Sequence, residues 1–195
     1  MADVPESPEA FFTTFLPAKV AEVADTVRGK SSPGSMTFRV QGAGEWTLRL
    51  TDGVLVVSTG MADDTLVQIT LSEADFAAIF VPAARAAEAA PPRADAQIFA
   101  FKALTMPPER VKLVKMIPGS LAFVIKDGET SHTVVVTPGT MTPKLEAPEC
   151  RIDCAMEDFK DVQSGKQQPL QLMMSGKMKM TGNAQIPMAL STVLA

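Results

Sequence analysis

Gly176-Lys177-Met178-Lys179-Met180-Thr181-Gly182-Asn183, followed by Met188-Ala189-Leu190, is the stretch on which the reading of this chain turns. Lys177 to Met180 alternates polar and apolar residues, the period of a half-buried strand. Gly182-Asn183 is a turn signal. Ile186, Leu190 and Val193 then recur on one helical face, with Met188 and Leu194 beside them, which predicts a helix over 184–194. That helix carries no charged residue. A helix apolar on most sides needs an apolar neighbour beyond its own sheet, so it is expected to wall or cover a cavity.

Upstream, Cys150 to Cys154 alternates as a strand and leads into a helix containing Asp158-Phe159. Phe123-Val124-Ile125-Lys126-Asp127-Gly128 reads as a strand running into a turn. Pro107-Pro108-Glu109 opens a helix carrying Val111, Val114 and Ile117, and Ile98 to Leu104 reads as a short strand before it.

In the first half, Ser7, Pro8 and Glu9 make a helix start, and Phe12, Leu16, Val20, Val23 and Val27 share one face. Pro17 should kink or split this helix. A loop over 29–34 ends it. Met36 to Val40 and Trp46 to Leu50 alternate as strands, Asp52-Gly53 is a tight hairpin turn into Val54 to Val57, and Leu66 to Leu71 is a further strand. Ser72 caps a helix running toward Phe80, and the Ala- and Pro-rich segment from Val81 to Ala96 is expected to hold a short, loosely ended helix.

The pattern then restarts. Ser35 to Val40 is like Ser120 to Ile125 at an offset of 85, and Val67 to Leu71 is like Cys150 to Cys154 at 83. Asp75-Phe76 matches Asp158-Phe159 at the same offset, and Thr47 to Leu50 is like Thr133 to Val136. An internal duplication is the economical account, with one unit over 1–106 and a second over 107–195.

The chain has 195 residues, 46% hydrophobic and 21% charged, enough apolar content for a packed core. Its net charge of -4 argues against a nucleic-acid binder held by phosphate contacts. The acidic excess lies in residues 1–105, at -5, whereas 106–195 carry +1. No run of apolar residues is long enough to span a bilayer. Asp3, Glu6 and Glu9 at the start do not look like a secretory signal, and Val193-Leu194-Ala195 is not a peroxisomal tail, so a cytoplasmic location is expected.

Catalytic material is sparse. The two cysteines, 150 and 154, sit about 13 Å apart if they share a strand, too far for a disulfide, and are expected to be small buried apolar side chains. His132 is the one histidine; it lies near a hairpin and is expected to be exposed. Glu157, Asp158 and Asp161 suit a helix start, and Asp63-Asp64 a turn. There is no nucleophile elbow, Walker loop or dinucleotide fingerprint. The sequence calls for no catalytic residue, no metal and no cofactor.

The last 75 or so residues resemble the sterol carrier protein type 2 (SCP-2 sterol transfer) family. The resemblance rests on Gly176 to Asn183 with Met188 to Leu190, on Cys150 to Phe159, and on Phe123 to Gly128, in that family's order and spacing. The first half resembles it more faintly, through Gly44-Glu45-Trp46-Thr47 and the Asp52-Gly53 turn, and lacks the Gly-Lys-x-Lys-x-Thr-Gly-Asn ending. The resemblance implies an α+β fold, an antiparallel meander with helices packed on one face, in two related units.

It also implies a non-enzymatic protein that binds and carries apolar ligands, such as fatty acids, fatty acyl-CoA or sterol-like lipids, in an apolar tunnel. The expected lining is Phe123, Phe159, Met173, Met174, Met178, Met180, Ile186, Met188 and Leu190. Methionine suits such a wall because it is flexible and polarisable. Lys177 and Lys179, with Lys160 and Lys166 nearby, could meet a lipid headgroup or an anionic membrane in transient contact. The alternative is an accessory or dimerisation module that presents a hydrophobic substrate to a separate enzyme. A homo-oligomer is compatible with either reading, and no nucleic-acid partner is expected.

Overall fold

The computed structural model describes residues 4–29, 32–89 and 102–194. They build one eight-stranded sheet with helices on one of its faces. Its strands are β1 (Ser35–Gln41), β2 (Gly44–Thr51), β3 (Val54–Thr59), β4 (Thr65–Ser72), β5 (Leu121–Asp127), β6 (Thr130–Pro138), β7 (Cys150–Ala155) and β8 (Lys179–Gly182). Their order is β3-β2-β1-β4-β6-β5-β7-β8. Most pairs are antiparallel, but β1 pairs β4 and β5 pairs β7 in parallel, so the sheet is mixed.

The same pairing occurs twice. In the first half Phe38 lies opposite Ile69 across the parallel pair, and in the second Phe123 lies opposite Ile152. These are the offsets of 85 and 83 read from the sequence. The hairpins differ. Met36 faces Leu48, whereas Leu121 faces Val136, so Leu48 corresponds to Val136 and not to Val134 as the sequence alignment expected. The second hairpin is longer and closes on two residues, Gly128-Glu129, and the turn sets the register.

Each half lacks a strand that the other possesses. No strand corresponding to β3 follows β6, and none corresponding to β8 follows β4 among the described residues. The two edges left open, β4 and β6, pair with each other from Val67↔Pro138 to Leu71↔Val134. The sheet therefore runs unbroken across the boundary expected at residues 106 and 107.

Cross-strand partners share a face. Met36, Phe38, Val40, Trp46, Leu48, Val67, Leu71, Leu121, Ile125, Cys150, Ile152 and Cys154 fall on one apolar face and are buried. Ile69 and Phe123 are half-buried and pack against the same core. The helices cover this face: the Phe12 ring lies 4.7 Å from Phe38 and 5.1 Å from Trp46, and Phe159 lies 6.3 Å from Phe123. The opposite face is polar, with Thr37 hydrogen-bonded to both Thr47 and Thr65 at 2.9 Å.

The N-terminal helix is interrupted as expected. Ser7 caps α1 (Pro8–Ala10); a π-helical turn over Phe11–Phe15 follows, and then α2 (Leu16–Glu22) and α3 (Ala24–Val27). Pro17 has no N–H for a regular helical bond, and the wider turn absorbs it while Leu16 N–H donates to Phe11 O. Asp52 and Gly53 both have positive φ, 48° and 81°, the geometry of a type I′ hairpin turn.

Ser72 Oγ accepts the Asp75 N–H at 3.0 Å and starts α4 (Glu73–Ala89), which continues through Pro82 well beyond Phe80. The rest of the expected Ala- and Pro-rich helix, 90–96, lies outside the described residues, as do Lys30 and Ser31 of the loop and residues 98–101 of the expected short strand. Lys102–Thr105 form a 3-10 turn in place of a strand. Proline-led α5 (Pro108–Val114) follows as read, with Val114 and Ile117 buried.

Candidate functional site

The second half builds its site from α6 (Met156–Gln163), α7 (Pro169–Met174), β8 and α8 (Gln185–Leu194). The stretch Gly176 to Asn183 connects three of these elements. Gly176, at φ 73°, ends α7 in a left-handed turn. Met178 N–H and Lys177 N–H fold back on Leu172 O at 3.1 and 3.0 Å. The strand starts at Lys179, two residues later than predicted, because Lys177 and Met178 are held in this turn. Lys177 and Lys179 therefore do not share a strand.

Gly182 is at φ 91°, and a Cβ there would collide with the Glu149 carbonyl. Asn183 N–H donates to that carbonyl at 2.8 Å, and its side-chain oxygen accepts Gln185 N–H at 3.0 Å at the head of α8. The Thr-Gly-Asn ending thus works as a joint that places α8 over the sheet.

The expected lining residues separate into two groups. Met178, Ile186 and Leu190 are buried, and Phe123, Phe159 and Met173 are half-buried against the same core. Met180 pairs with Ile152 on the edge strand and is borderline exposed. Met174 is 82% and Met188 67% exposed, so both point away from the interior in this conformation. Ile186 and Leu190 are four apart and turn inward, which sends Met188 outward on the same helix. The side chains of Val193 and Leu194 lie outside the described part. Two depressions among the described residues, about 200 and 340 Å³, do not touch the Met-rich segment.

The lysines are held variously. Lys177 Nζ lies 3.3 Å from Asp158, itself nearly buried at the start of α6, and Lys166 lies 3.8 Å from Asp161. Both cysteines are free and buried, and burial pushes the Cys154 thiol up to about 11 and raises that of Cys150.

Sequence reasoning missed two polar clusters. His132 is not exposed: its side chain is 12% accessible, and Nδ1 lies 2.9 Å from Asp75 Oδ1. Ser72 donates to the other Asp75 oxygen at 2.7 Å. Serine, aspartate and histidine meet here, but the carboxylate sits in the middle, so the histidine does not contact the hydroxyl and cannot take its proton. Asp64 is more than a turn residue. It accepts both guanidinium nitrogens of Arg49 and the Ser35 hydroxyl, and Arg49 above all holds its carboxyl below the usual range. Both clusters join residues far apart in sequence, which no periodicity reports.

No group of three or more His, Cys, Asp or Glu among the described residues is placed to hold a metal ion. No helix among them is long and apolar enough to cross a membrane.

The SCP-2 sterol transfer family matches residues 100–195. The C-terminal half belongs to the SCP-2 sterol transfer family. Among solved structures, the chain is similar to apo sterol carrier protein 2 from Yarrowia lipolytica, at 21% identity over 44% of this chain and 73% of that one, with a TM-score of 0.34. It is also similar to the sterol carrier protein domain 2 of Helicoverpa armigera, at 26% identity over 42% and 70%, TM-score 0.34. A third is palmitated SCP2L2 from Aedes aegypti, at 15% identity over 43% and 85%, TM-score 0.32. No curated protein matches the chain. The SCP-2 half contains all three stretches that suggested the family.

Proposed function

We propose that this protein is a non-enzymatic carrier that binds apolar ligands, of the fatty-acid, fatty acyl-CoA or sterol-like class, in the cytoplasm. The family match over residues 100–195 carries the proposal. The ligand would enter between the sheet and α6 to α8, where Phe123, Phe159, Met173, Met178, Ile186 and Leu190 belong to one apolar core. Those side chains pack against one another, so a bound lipid would replace contacts that α8 makes with the sheet. Met173 and Met178 suit such an exchange, because an unbranched thioether can repack around chains or rings. Met180 at the edge would border the entrance, with Met174 and Met188 outside it.

Displacement of a fluorescent fatty acid tests the proposal directly, together with native mass spectrometry of the purified protein for a co-purified lipid. Saturable binding, weakened when Leu190 is replaced by a polar residue, is expected. Absence of binding across fatty acids, acyl-CoA and sterols would remove it.

A further inference from the structure

The two edges of the sheet are finished differently. β8, at one edge, is four residues long, carries Lys179 and runs into the Gly182-Asn183 joint. A short strand with a lysine is a poor template for further pairing. β3, at the other edge, is six residues long, Val54-Leu55-Val56-Val57-Ser58-Thr59, with neither a charge nor a proline. Val56 shares a face with Arg49, away from the helices, and Val54 and Val56 are 61% and 50% exposed there.

The register decides which backbone groups of β3 face outward. Thr51 and Val54 close the two-residue Asp52-Gly53 turn, so they form a hydrogen-bonded pair, and such pairs alternate along an antiparallel ladder. Arg49↔Val56 and Thr47↔Ser58 are therefore bonded pairs, and the Gly60 N–H to Glu45 O bond at 3.0 Å continues the same phase. The N–H and C=O groups of Leu55, Val57 and Thr59 then point away from the sheet. Among the described residues, no hydrogen bond from outside β2 reaches them.

This edge is complementary to itself. A second β3 laid antiparallel, with Val56 opposite Val56, sets Leu55 against Val57 of the second copy and Val57 against its Leu55. Those are the residues with outward backbone groups. The Val56 pair falls at a non-hydrogen-bonded position, where side chains come closest, and Val54 and Val56 of both copies cover one another. On the other face Leu55 and Val57 continue the apolar layer from one sheet into the next. Residues 1–105 carry a net charge of -5, which opposes self-association of this half. The edge avoids that repulsion: β3 is uncharged, and Lys19, Glu22, Asp25 and Arg28, on the helical segment beside it, sum to zero.

We propose that the first half is a dimerisation unit: β3 pairs antiparallel with β3 of a second copy, about a two-fold axis at Val56, and joins two eight-stranded sheets into one. The SCP-2 halves then lie at the two far ends of the joined sheet, so the dimer leaves both of their cores uncovered. A strand pairing of this length is small for a stable interface, which sets a weak dimer with a dissociation constant on the order of 10–100 µM.

Sedimentation velocity of the full chain, from well below to well above that range, tests the proposal. Monomer at the low end and dimer at the high end are expected. Val56→Lys and Val56→Glu each set like charges face to face on the axis, and each should raise the dissociation constant about tenfold or more. An equimolar mixture of the two variants should dimerise again, Lys against Glu, a recovery that a damaged fold would not give. Met116→Lys, at an exposed position in the second half, should dimerise like the parent. The proposal is overturned by a parent chain that stays monomeric throughout, which would mean an edge left bare or covered by its own chain. It is overturned equally by a dimer that survives both charges, which would place the contact elsewhere, or by a mixture that stays monomeric. Fatty-acid displacement is read in parallel, and its failure would leave dimerisation untouched.

Discussion

Ser120 holds in the second half of the sheet the place that Ser35 holds in the first. Ser35 opens and Ser120 immediately precedes the leading strand of a parallel pair, and each is bonded to the acid just before the partner strand. Ser35 Oγ donates to Asp64 at 2.9 Å, and Ser120 N–H donates to Glu149 at 2.8 Å. Both acids lie 29 residues beyond their serines, and both serines follow Pro-Gly, at 33–34 and 118–119. This shared staple supports the proposal that the two halves arose by duplication.

The two acids predict acid sensitivity within each half. Arg49 lowers the Asp64 pKa, and Lys144, then Ser120 N–H, lowers that of Glu149. A depressed folded-state pKa gives stability that is present above the unfolded carboxylate value and lost as pH falls through the folded one. Asp64 and Glu149 are partly exposed, so each is worth about 1 kcal/mol or less. The Asp64→Asn, Glu149→Gln double variant should be less stable than the parent near neutrality, and the difference should shrink as pH falls below the ordinary carboxylate range. Urea unfolding across that range measures the difference; parallel curves would contradict it.

Gly182→Ala should cost about 2 kcal/mol or more, because it adds a left-handed non-glycine residue and a Cβ against the Glu149 carbonyl. Gly128→Ala, with open space around it, should cost about 1 kcal/mol, the conformational part alone. Thermal melts of the two variants separate collision from conformation.

Met188→Asp should leave the melting temperature almost unchanged, since the side chain is at the surface. Leu190→Ala, two residues on, should cost about 2–4 kcal/mol by opening a cavity in the core. Equal losses would mean that α8 is rotated from the position described.

Cys150 and Cys154 should resist thiol reagents at neutral and mildly alkaline pH, since both are buried and the Cys154 thiol is pushed up to about 11. Labelling should appear only with denaturant, at a rate that follows unfolding. Fast labelling of the native protein would show that β7 opens locally.

Residues 1–106 and 107–195 made separately should not fold as stable monomers. Separation exposes β4 and β6 along the pairs from Val67↔Pro138 to Leu71↔Val134, and an open edge lined with Val and Leu invites aggregation. Mixing the two pieces should restore a sheet, read by circular dichroism and size-exclusion chromatography.

The sequence by itself determined the parts. Alternation marked Met36 to Val40, Trp46 to Leu50 and Cys150 to Cys154 as strands, because side chains on a strand take opposite faces in turn. Asp52-Gly53 announced its turn, and Ser7 and Ser72 their helices, since those effects act within four residues. The stretch Gly176 to Asn183 carried the family.

Only the tertiary structure decided how the parts meet. Nothing in either half states that β4 and β6 will share an edge, because pairing registers between distant strands depend on which edges are left open. The same holds for His132, drawn in by Asp75 from 57 positions away, and for Asp64 with Arg49. Helical periodicity placed Ile186 and Leu190 on one face of α8 but could not choose which neighbours Met188 would have. That depends on the angle at which the Gly182-Asn183 joint sets α8 on the sheet, and the joint is made against Glu149, a residue on another strand's threshold.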